Sequence, residues 1–188
     1  EAIWLKGHSG SGKSTIFKMV LGYLKPTNGN ISILGKDISN TNVSVLRNVI
    51  TYVEQDTNLF DSNVYENIVY GNIKVPRNKI YNIIKHLNIK VFDNLPKGLD
   101  SPVGILGSNL SGGQKQIILL LRAYFRKNTK ILLLDEPISA VDVESVPEIL
   151  KLISHMKKNK TLIVVSHNND IEKIITRQIE MDVLNLKS

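Results

Sequence analysis

The sequence contains no cysteine, and its 188 residues also include no long hydrophobic run. The absence of cysteine excludes disulfide bonds, thiolate metal sites and cysteine nucleophiles. The longest apolar runs, residues 117–121 and 131–134, are far shorter than the roughly 20 residues that a membrane-spanning helix needs. No basic and then apolar leader opens the chain, and residue 1 is Glu. We therefore expect a piece of a longer protein that is truncated at its N-terminus.

Acidic residues are fewer than basic ones: the chain contains 17 Asp and Glu and 24 Lys and Arg, which gives a net charge of +7. Such a balance can suit a nucleic acid, a membrane surface or a polyanionic ligand. However, 19 of the 24 basic residues are Lys, whereas Arg is the side chain that most often recognises base edges. We therefore expect no nucleic-acid partner.

Hydrophobic residues make up 42% of the chain, which is enough to bury a sizeable core. Four short apolar runs predict strands, at residues 3–5, 50–53, 131–134 and 162–165. Their lack of polar alternation is typical of a parallel sheet that is covered on both faces. Apolar residues spaced three and four apart predict helices at residues 16–23, 80–87 and 146–153. The alternation of strands with helices indicates an α/β fold.

The stretch from about residue 61 to residue 127 differs from the rest of the chain. It contains helical patterns and loops, but no apolar run comparable to the four predicted strands. We predict that it forms a mostly helical subdomain inserted between two strands of the sheet.

Residues 7–15 read Gly-His-Ser-Gly-Ser-Gly-Lys-Ser-Thr, a complete phosphate-binding loop between an apolar strand and an amphipathic helix. Glycines let backbone N–H groups turn toward phosphate oxygens, and the helix N-terminus adds its positive dipole end. Lys13 would neutralise the β- and γ-phosphates, and Ser14 would offer its hydroxyl to Mg²⁺. The predicted nucleotide-binding residues are Gly7, Ser9, Gly10, Ser11, Gly12, Lys13, Ser14 and Thr15.

Two carboxylates follow the apolar run at residues 131–134. Asp135 lies where a carboxylate can hold Mg²⁺ next to the phosphate loop, directly or through water. Glu136 can orient and polarise an attacking water. A strand that ends in Asp-Glu carries little weight alone, but together with the phosphate loop it predicts nucleotide hydrolysis.

A second anion site is predicted at residues 110–114, Leu-Ser-Gly-Gly-Gln, ahead of a helical run at 115–126. A single site needs one phosphate cradle, and this chain carries two. These residues resemble the ATP-binding cassette (ABC) family, in which the signature of one copy closes on the ATP held by the phosphate loop of another. The resemblance implies a P-loop NTPase fold, in which the signature residues act in trans: Leu110, Ser111, Gly112, Gly113 and Gln114.

Other motifs of the family follow in order along the chain. Gln55 is similar to the glutamine that links the nucleotide to a transmembrane partner, and it would join Ser14 and Asp135 at Mg²⁺. His167 ends a buried strand, where α/β sheets place ligands, and it resembles the switch histidine that reaches the γ-phosphate. The resemblance therefore implies Glu136, His167 and Gln55 as the catalytic residues.

Further segments extend the resemblance to nearly the whole chain. Ser139, Ala140 and Asp142 are similar to the loop that crosses the dimer interface after the second carboxylate. Residues 58–60 and 64–71 resemble exporter-type cassettes, which are often fused to transmembrane domains.

Several positions depart from the family pattern. Ile105 replaces an acidic residue in the loop ahead of the signature, and the aromatic residue that stacks on adenine is missing from the chain. Trp4 and Lys6 lie on one face of a strand where small or apolar residues are usual. Residues 31–37 resemble a strand of the cassette, whereas residues 168–188 lack its usual closing strands and show only a short helical pattern.

The resemblance implies the ATP-hydrolysing nucleotide-binding domain of an ABC transporter, with ATP and Mg²⁺ as cofactors and a second such domain as partner. It implies a place on the cytoplasmic face of a membrane, through a transmembrane domain absent from this chain. Pro137 after the second carboxylate is more typical of importers, so the direction of transport stays open. The alternative is a soluble ABC ATPase of DNA repair, chromosome structure or translation, although no sustained heptad is present. A small-molecule kinase would leave the signature without a role.

Overall fold

A computed structural model describes residues 1–72 and 75–181, and a five-stranded parallel sheet lies at its centre. The strands are β1 (Ala2–Lys6), β2 (Ser32–Ile33), β3 (Lys36–Asp37), β4 (Ile50–Val53), β5 (Ile131–Asp135), β6 (Thr161–Val165) and β7 (Arg177–Glu180). The order in the central sheet is β4-β5-β6-β1-β7, and each neighbouring pair is parallel. The four strands and the parallel sheet predicted from the apolar runs are confirmed.

The edge strand β7 corrects the expectation that no closing strand follows residue 168. It pairs with β1 so that Ile3 lies opposite Arg177 and Leu5 opposite Ile179. Three of its four residues are exposed, because an edge strand has a neighbour on one side only. Its polar sequence therefore lacks the apolar run that identifies the central strands. The part of that expectation that concerns residues 182–188 lies outside the described residues.

The segment at 31–37 forms a small hairpin instead of the single strand suggested by the family resemblance. β2 and β3 pair with each other in antiparallel orientation and do not join the central sheet. Leu34 and Gly35 connect them, with φ angles of 51° and 76°. Two successive positive φ angles match the twist of the flanking strands in a two-residue hairpin turn.

The α-helices of the described ranges are α1 (Lys13–Val20), α2 (Val43–Val49), α3 (Val64–Val69), α4 (Arg77–His86), α5 (Gly112–Phe125) and α6 (Val146–Met156). Short 3₁₀ helices occupy Ile38–Asn40, Gly98–Asp100, Ile105–Gly107 and Asn169–Ile174. All three predicted helices are present, but α1 ends before the predicted limit at residue 23. Gly22, at φ 75°, and Tyr23 donate N–H groups to Met19 O and Lys18 O, a glycine-based C-cap that stops the helix.

Apolar side chains cover both faces of the sheet. Leu132 and Leu134 of β5 join the larger core cluster, together with α5 and α6, whereas Leu133 joins the smaller one with Phe17 of α1. This burial on both faces explains why the central strands read as continuous apolar runs. Within the described ranges, no helix combines the length and the apolar character needed to cross a bilayer.

The stretch between residues 61 and 127 contains α3, α4, α5 and two of the 3₁₀ helices. In its described part, no segment joins the central sheet, and one isolated bridge links Asn63 with Pro102. Helix α5 packs against both α3 and α6, so these helices share the larger core cluster with the sheet. This arrangement agrees with the predicted helical insertion, whose boundaries remain a prediction.

Candidate functional site

The loops that follow β1, β4, β5 and β6 meet at one edge of the sheet, because the strands are parallel and their carboxyl ends lie side by side. Together they enclose a cleft of about 450 Å³. The cleft is lined by Ser9, Gly10, Gly12, Lys13, Ser14, Thr15, Gln55, Asp135, Glu136, Ser139, Val165 and His167. The fold therefore brings together motifs that lie far apart in the sequence.

The phosphate loop forms one wall of this cleft and has room above it. Gly10 and Gly12 adopt φ angles of 84° and 93°, a backbone conformation that favours glycine. A Cβ added at Gly10 would meet no atom within 4 Å. Among the residues that the structure describes, no side chain caps α1, and Ser14 and Thr15 are exposed in its first turn. The N-terminus of α1 can therefore present its N–H groups to an anion in the cleft.

Lys13 is held at the base of the loop. Its side chain is only 7% exposed, and Nζ donates hydrogen bonds to Gly7 O at 2.7 Å and His8 O at 2.8 Å. Nζ also lies 3.4 Å from Ser11 Oγ, which accepts a third hydrogen bond. The ammonium group is thus fixed beside the N-terminus of α1.

Gly7 and Ser11, both predicted to bind nucleotide, do not line the cleft. Ser11 is buried, and a Cβ added at Gly7 would lie 2.6 Å from its hydroxyl and 3.0 Å from Met181 O. These two residues therefore support the loop from behind, and their role in nucleotide binding stays a prediction.

Asp135 ends β5 and is tied to the neighbouring strand. Tyr52 of β4 donates a hydrogen bond from Oη to Asp135 Oδ2 at 2.9 Å, and its ring packs edge-on against Phe17 at 5.7 Å. Burial, together with the hydrogen bond and negative charge of Asp135, raises the pKa of Tyr52 above its usual range. Tyr52 is not among the site residues predicted from the sequence, although a tyrosine inside an apolar strand indicates that its hydroxyl needs a partner.

Glu136 has an unusual backbone and an asymmetric carboxylate. Its φ is 49°, and its N–H donates to Val165 O at 2.9 Å, which fixes it against β6. Oε2 accepts hydrogen bonds from Ser166 Oγ at 3.3 Å and from the His167 N–H at 3.2 Å. Oε1 is buried and finds no hydrogen-bond partner among the described residues. The imidazole Nε2 of His167 lies 3.7 Å away, too far for a hydrogen bond. One oxygen is therefore anchored, and the other is a buried acceptor whose lone pairs are left unsatisfied within the described ranges.

A short chain of polar contacts connects the loops after β4 and β5. Gln55 donates from Nε2 to Ser139 Oγ at 3.4 Å, and Ser139 donates from Oγ to Glu136 O at 3.1 Å. This contact uses the amide nitrogen of Gln55, so its amide oxygen can bind a ligand in the cleft.

The five signature residues do not line this cleft. Ser111 caps α5, because its Oγ accepts from the Gln114 N–H at 3.2 Å while Gln114 Oε1 accepts from the Ser111 N–H at 2.9 Å. This reciprocal pair is a capping box. Leu110 is buried, whereas Ser111 is exposed at the tip of α5.

The signature glycines instead pack against residues 140–145 of the same chain. A Cβ added at Gly112 would collide with the carbonyl oxygen of Ala140. At Gly113, it would collide with Ser145 and lie 3.0 Å from an oxygen of Asp142. Hydrogen bonds from Ser145, and one from the Gly113 N–H, lower the pKa of Asp142. The signature glycines and the loop at 139–142 are therefore packed directly against each other, a contact that the sequence motifs do not predict.

Comparison with known families identifies the chain. The family model described as ABC transporter matches residues 1–139, which include the phosphate loop, the signature and the Asp135–Glu136 pair. This chain belongs to the ABC transporter family. It is the ATP-binding, ATPase domain of that family, and its parallel sheet with flanking helices is the family's P-loop fold.

Relatives of this ABC domain include a flippase, a multidrug transporter and an exporter. The ATP-dependent lipid A-core flippase of Neisseria gonorrhoeae is 37% identical over 183 residues, which cover 97% of the chain and 29% of the flippase. An ABC multidrug transporter of Aspergillus fumigatus is 41% identical over 162 residues, covering 86% of the chain and 20% of the transporter. A solved structure of a bacterial Atm1-family ABC exporter with ATP bound superposes with a TM-score of 0.84 at 31% identity, covering 96% of the chain and 32% of the exporter. The ABC domain thus spans less than a third of these relatives.

Proposed function

We propose that this ABC domain binds Mg-ATP in the cleft and hydrolyses it as one half of a dimer, which drives export across a membrane. The observation that carries the proposal is the convergence of Lys13, from the phosphate loop, with Asp135 and Glu136, from the end of β5, in one cleft. A cation, a metal-binding carboxylate and a general base are the three groups that phosphoryl transfer to water needs.

Lys13 and the first turn of α1 hold the phosphates in this proposal. The open space above Gly10 leaves room for phosphate oxygens close to the backbone. The Ser14 hydroxyl, the Asp135 oxygen not bound by Tyr52 and the Gln55 amide oxygen would hold Mg²⁺, since all three residues line the cleft. When bound, Mg²⁺ neutralises charge on the phosphate oxygens.

Glu136 acts as the general base in this proposal. Its Oε1, which has no partner within the described part of the chain, can accept a hydrogen bond from the attacking water and take up a proton as the water oxygen attacks the γ-phosphorus. The His167 side chain, which is 61% exposed and also lines the cleft, can reach the γ-phosphate.

A second cassette completes the site. Ser111 and the N-terminus of α5 lie outside the cleft of their own chain, so we propose that they close on the phosphates held by a partner. Because the loop at 139–142 contacts Gly112 and Gly113, it would move to the interface together with the signature.

A transmembrane domain is the second proposed partner and would hold this domain at the cytoplasmic face. A groove of about 230 Å³ lies beside the strand that leads to Gln55. Tyr70 and Arg122 line this groove, the exposed rings of Tyr70 and Phe60 stand 4.2 Å apart, and the Arg122 guanidinium lies within 5.5 Å of both centroids. Aromatic and Arg side chains are enriched at protein interfaces. The names of two much longer relatives, an export ATP-binding/permease protein of Rickettsia typhi and an Atm1-family ABC exporter, support outward transport.

The test of this function compares Lys13→Ala with Lys18→Ala in the purified full-length protein. Both lysines belong to α1, but Lys18 is exposed and lies outside the cleft. Lys13→Ala leaves the triphosphate charge uncompensated, so we expect the Kd for a fluorescent ATP analogue to rise at least about tenfold, the loss of one charge-assisted contact. Lys18→Ala should bind as the wild type does. Equal affinity in all three proteins would contradict the assignment.

A further inference from the structure

We propose that Ser166 is a positioning residue for hydrolysis, because it holds the carboxylate of Glu136 so that one oxygen stays free for water. The proposal rests on the function proposed above, in which Glu136 is the general base. Ser166 follows β6 directly and precedes His167, and nothing in its sequence pattern marks it as functional.

The carboxylate of Glu136 is held at one oxygen only. Oε2 accepts from the Ser166 hydroxyl at 3.3 Å and from the His167 N–H at 3.2 Å, whereas Oε1 accepts from no described residue. A carboxylate turns about its last side-chain bond with little resistance unless hydrogen bonds fix it. The Ser166 hydroxyl is the side-chain donor that fixes this one, and it leaves Oε1 without a hydrogen-bond partner among the described residues.

The direction of the Ser166 hydroxyl is itself determined. Ser166 is 4% exposed, and its Oγ accepts a hydrogen bond from the Asn168 N–H at 3.1 Å. Because that contact uses a lone pair of the hydroxyl, its proton is left to donate to Glu136. The backbone N–H of Asn168 therefore fixes the Ser166 hydroxyl, and that hydroxyl in turn fixes the Glu136 carboxylate.

Trp4 fixes Ser166 from the other side. Its indole Nε1 donates to Ser166 O at 3.1 Å, and the side chain is 1% exposed. Trp4 lies on β1 opposite Val164 of β6, so its ring reaches along β6 to the residue beyond the end of that strand. A small side chain at this position could not make the contact. The unusual tryptophan in β1 therefore has a place in the same network.

The experiment measures ATP hydrolysis by the full-length protein with Ser166→Ala. We expect kcat to fall about tenfold, the equivalent of one hydrogen bond to a charged group. Binding of a non-hydrolysable ATP analogue should stay within twofold of the wild type, since Ser166 does not line the cleft. Ser166→Thr, which keeps the hydroxyl, should retain most of the activity. Ser101→Ala, which removes a buried serine of the helical region, should hydrolyse ATP at the wild-type rate.

Combination with Glu136→Gln separates positioning from a structural effect. If Ser166 acts through Glu136, adding Ser166→Ala to Glu136→Gln should leave the residual rate unchanged, because the group that it positions has already been replaced. Two results would overturn the proposal: a kcat for Ser166→Ala within twofold of the wild type, or an equal loss in Ser166→Ala and Ser166→Thr. The function proposed above fails separately, if Lys13→Ala and Glu136→Gln both hydrolyse ATP normally.

Discussion

Tyr52 joins two neighbouring strands at the cleft through a single hydrogen bond from its hydroxyl to Asp135. The contact orients a carboxylate that we assign to Mg²⁺, and it leaves the other oxygen of Asp135 for the metal. Because the bond involves a half-exposed tyrosine and a charged acceptor, we expect it to stabilise the fold by about 1 kcal/mol. The sequence places Tyr52 three residues before Gln55, but its partner follows only from the pairing of β4 with β5.

Tyr52→Phe should therefore lower the free energy of unfolding by about 1 kcal/mol near pH 8, measured by urea denaturation. The pKa of Tyr52 is raised in the folded protein, so the fold binds this proton more tightly than the unfolded chain does. The stabilisation is complete below about pH 10, the ordinary tyrosine pKa, and is lost as pH rises further. The difference in the free energy of unfolding between the wild type and Tyr52→Phe should therefore decrease above that pH.

Tyr81→Phe is the matched control, because Tyr81 is exposed on α4 and lies far from the cleft along the helical region. It should change the free energy of unfolding by less than about 0.5 kcal/mol. A Tyr52→Phe protein as stable as the wild type at pH 8 would show that the hydrogen bond to Asp135 does not stabilise the fold.

At the scale of elements, Ser111 at the N-cap of α5 has two roles that can be tested separately. Ser111 caps the helix through its Oγ, and its exposed position places it where a partner's phosphate could bind. Loss of an N-cap serine costs about 1 kcal/mol, whereas aspartate caps as well as serine does. Aspartate, however, puts a negative charge where the proposal places a phosphate.

Ser111→Ala and Ser111→Asp together test these two tasks. We expect Ser111→Ala to lower the free energy of unfolding by about 1 kcal/mol and Ser111→Asp to leave it unchanged. ATP turnover should nevertheless fall more in Ser111→Asp than in Ser111→Ala, because the carboxylate repels the γ-phosphate. If Ser111→Asp instead hydrolyses ATP at the wild-type rate, Ser111 is a helix cap and nothing more.

The elements that could be predicted are those whose sequence signal is local. Continuous apolar runs identify β1, β4, β5 and β6, because those strands are buried on both faces. The edge strand β7 escaped prediction because its exposed residues carry no such run. The short helix α2 was also missed. It begins at Asn42, whose Oδ1 accepts from the Ser44 N–H at 2.9 Å, but its exposed residues leave little apolar periodicity.

The residues of the site likewise divide into those with a local sequence signal and those without one. The motifs identified the phosphate loop, both carboxylates and His167, and the parallel order of the strands brings them into one cleft. The contacts of Ser166 and Trp4 could not be predicted, because they join residues 162 positions apart and depend on the register of β1 with β6. The packing of Gly112 on Ala140 likewise depends on how α5 meets the loop after β5.

At the scale of the whole molecule, the central claim is that each active site is built from two chains. The cleft supplies the phosphate loop and the general base, and the signature lies outside it. In a dimer with twofold symmetry, the signature of each chain closes on the cleft of the other, so two equivalent composite sites result. A defect at Lys13 and a defect at Ser111 then affect different halves of a site.

Mixed dimers of Lys13→Ala and Ser111→Arg chains test this claim most directly. Each variant alone should be inactive, but in the mixed dimer both defects fall on one site and the other site is intact. The two variants, co-expressed, should therefore recover part of the ATP turnover. The control places both substitutions in one chain and pairs it with wild type, which leaves one defect in each composite site, so the mixed dimer should stay inactive. Normal hydrolysis by Ser111→Arg alone, with no dependence on protein concentration, would contradict the account.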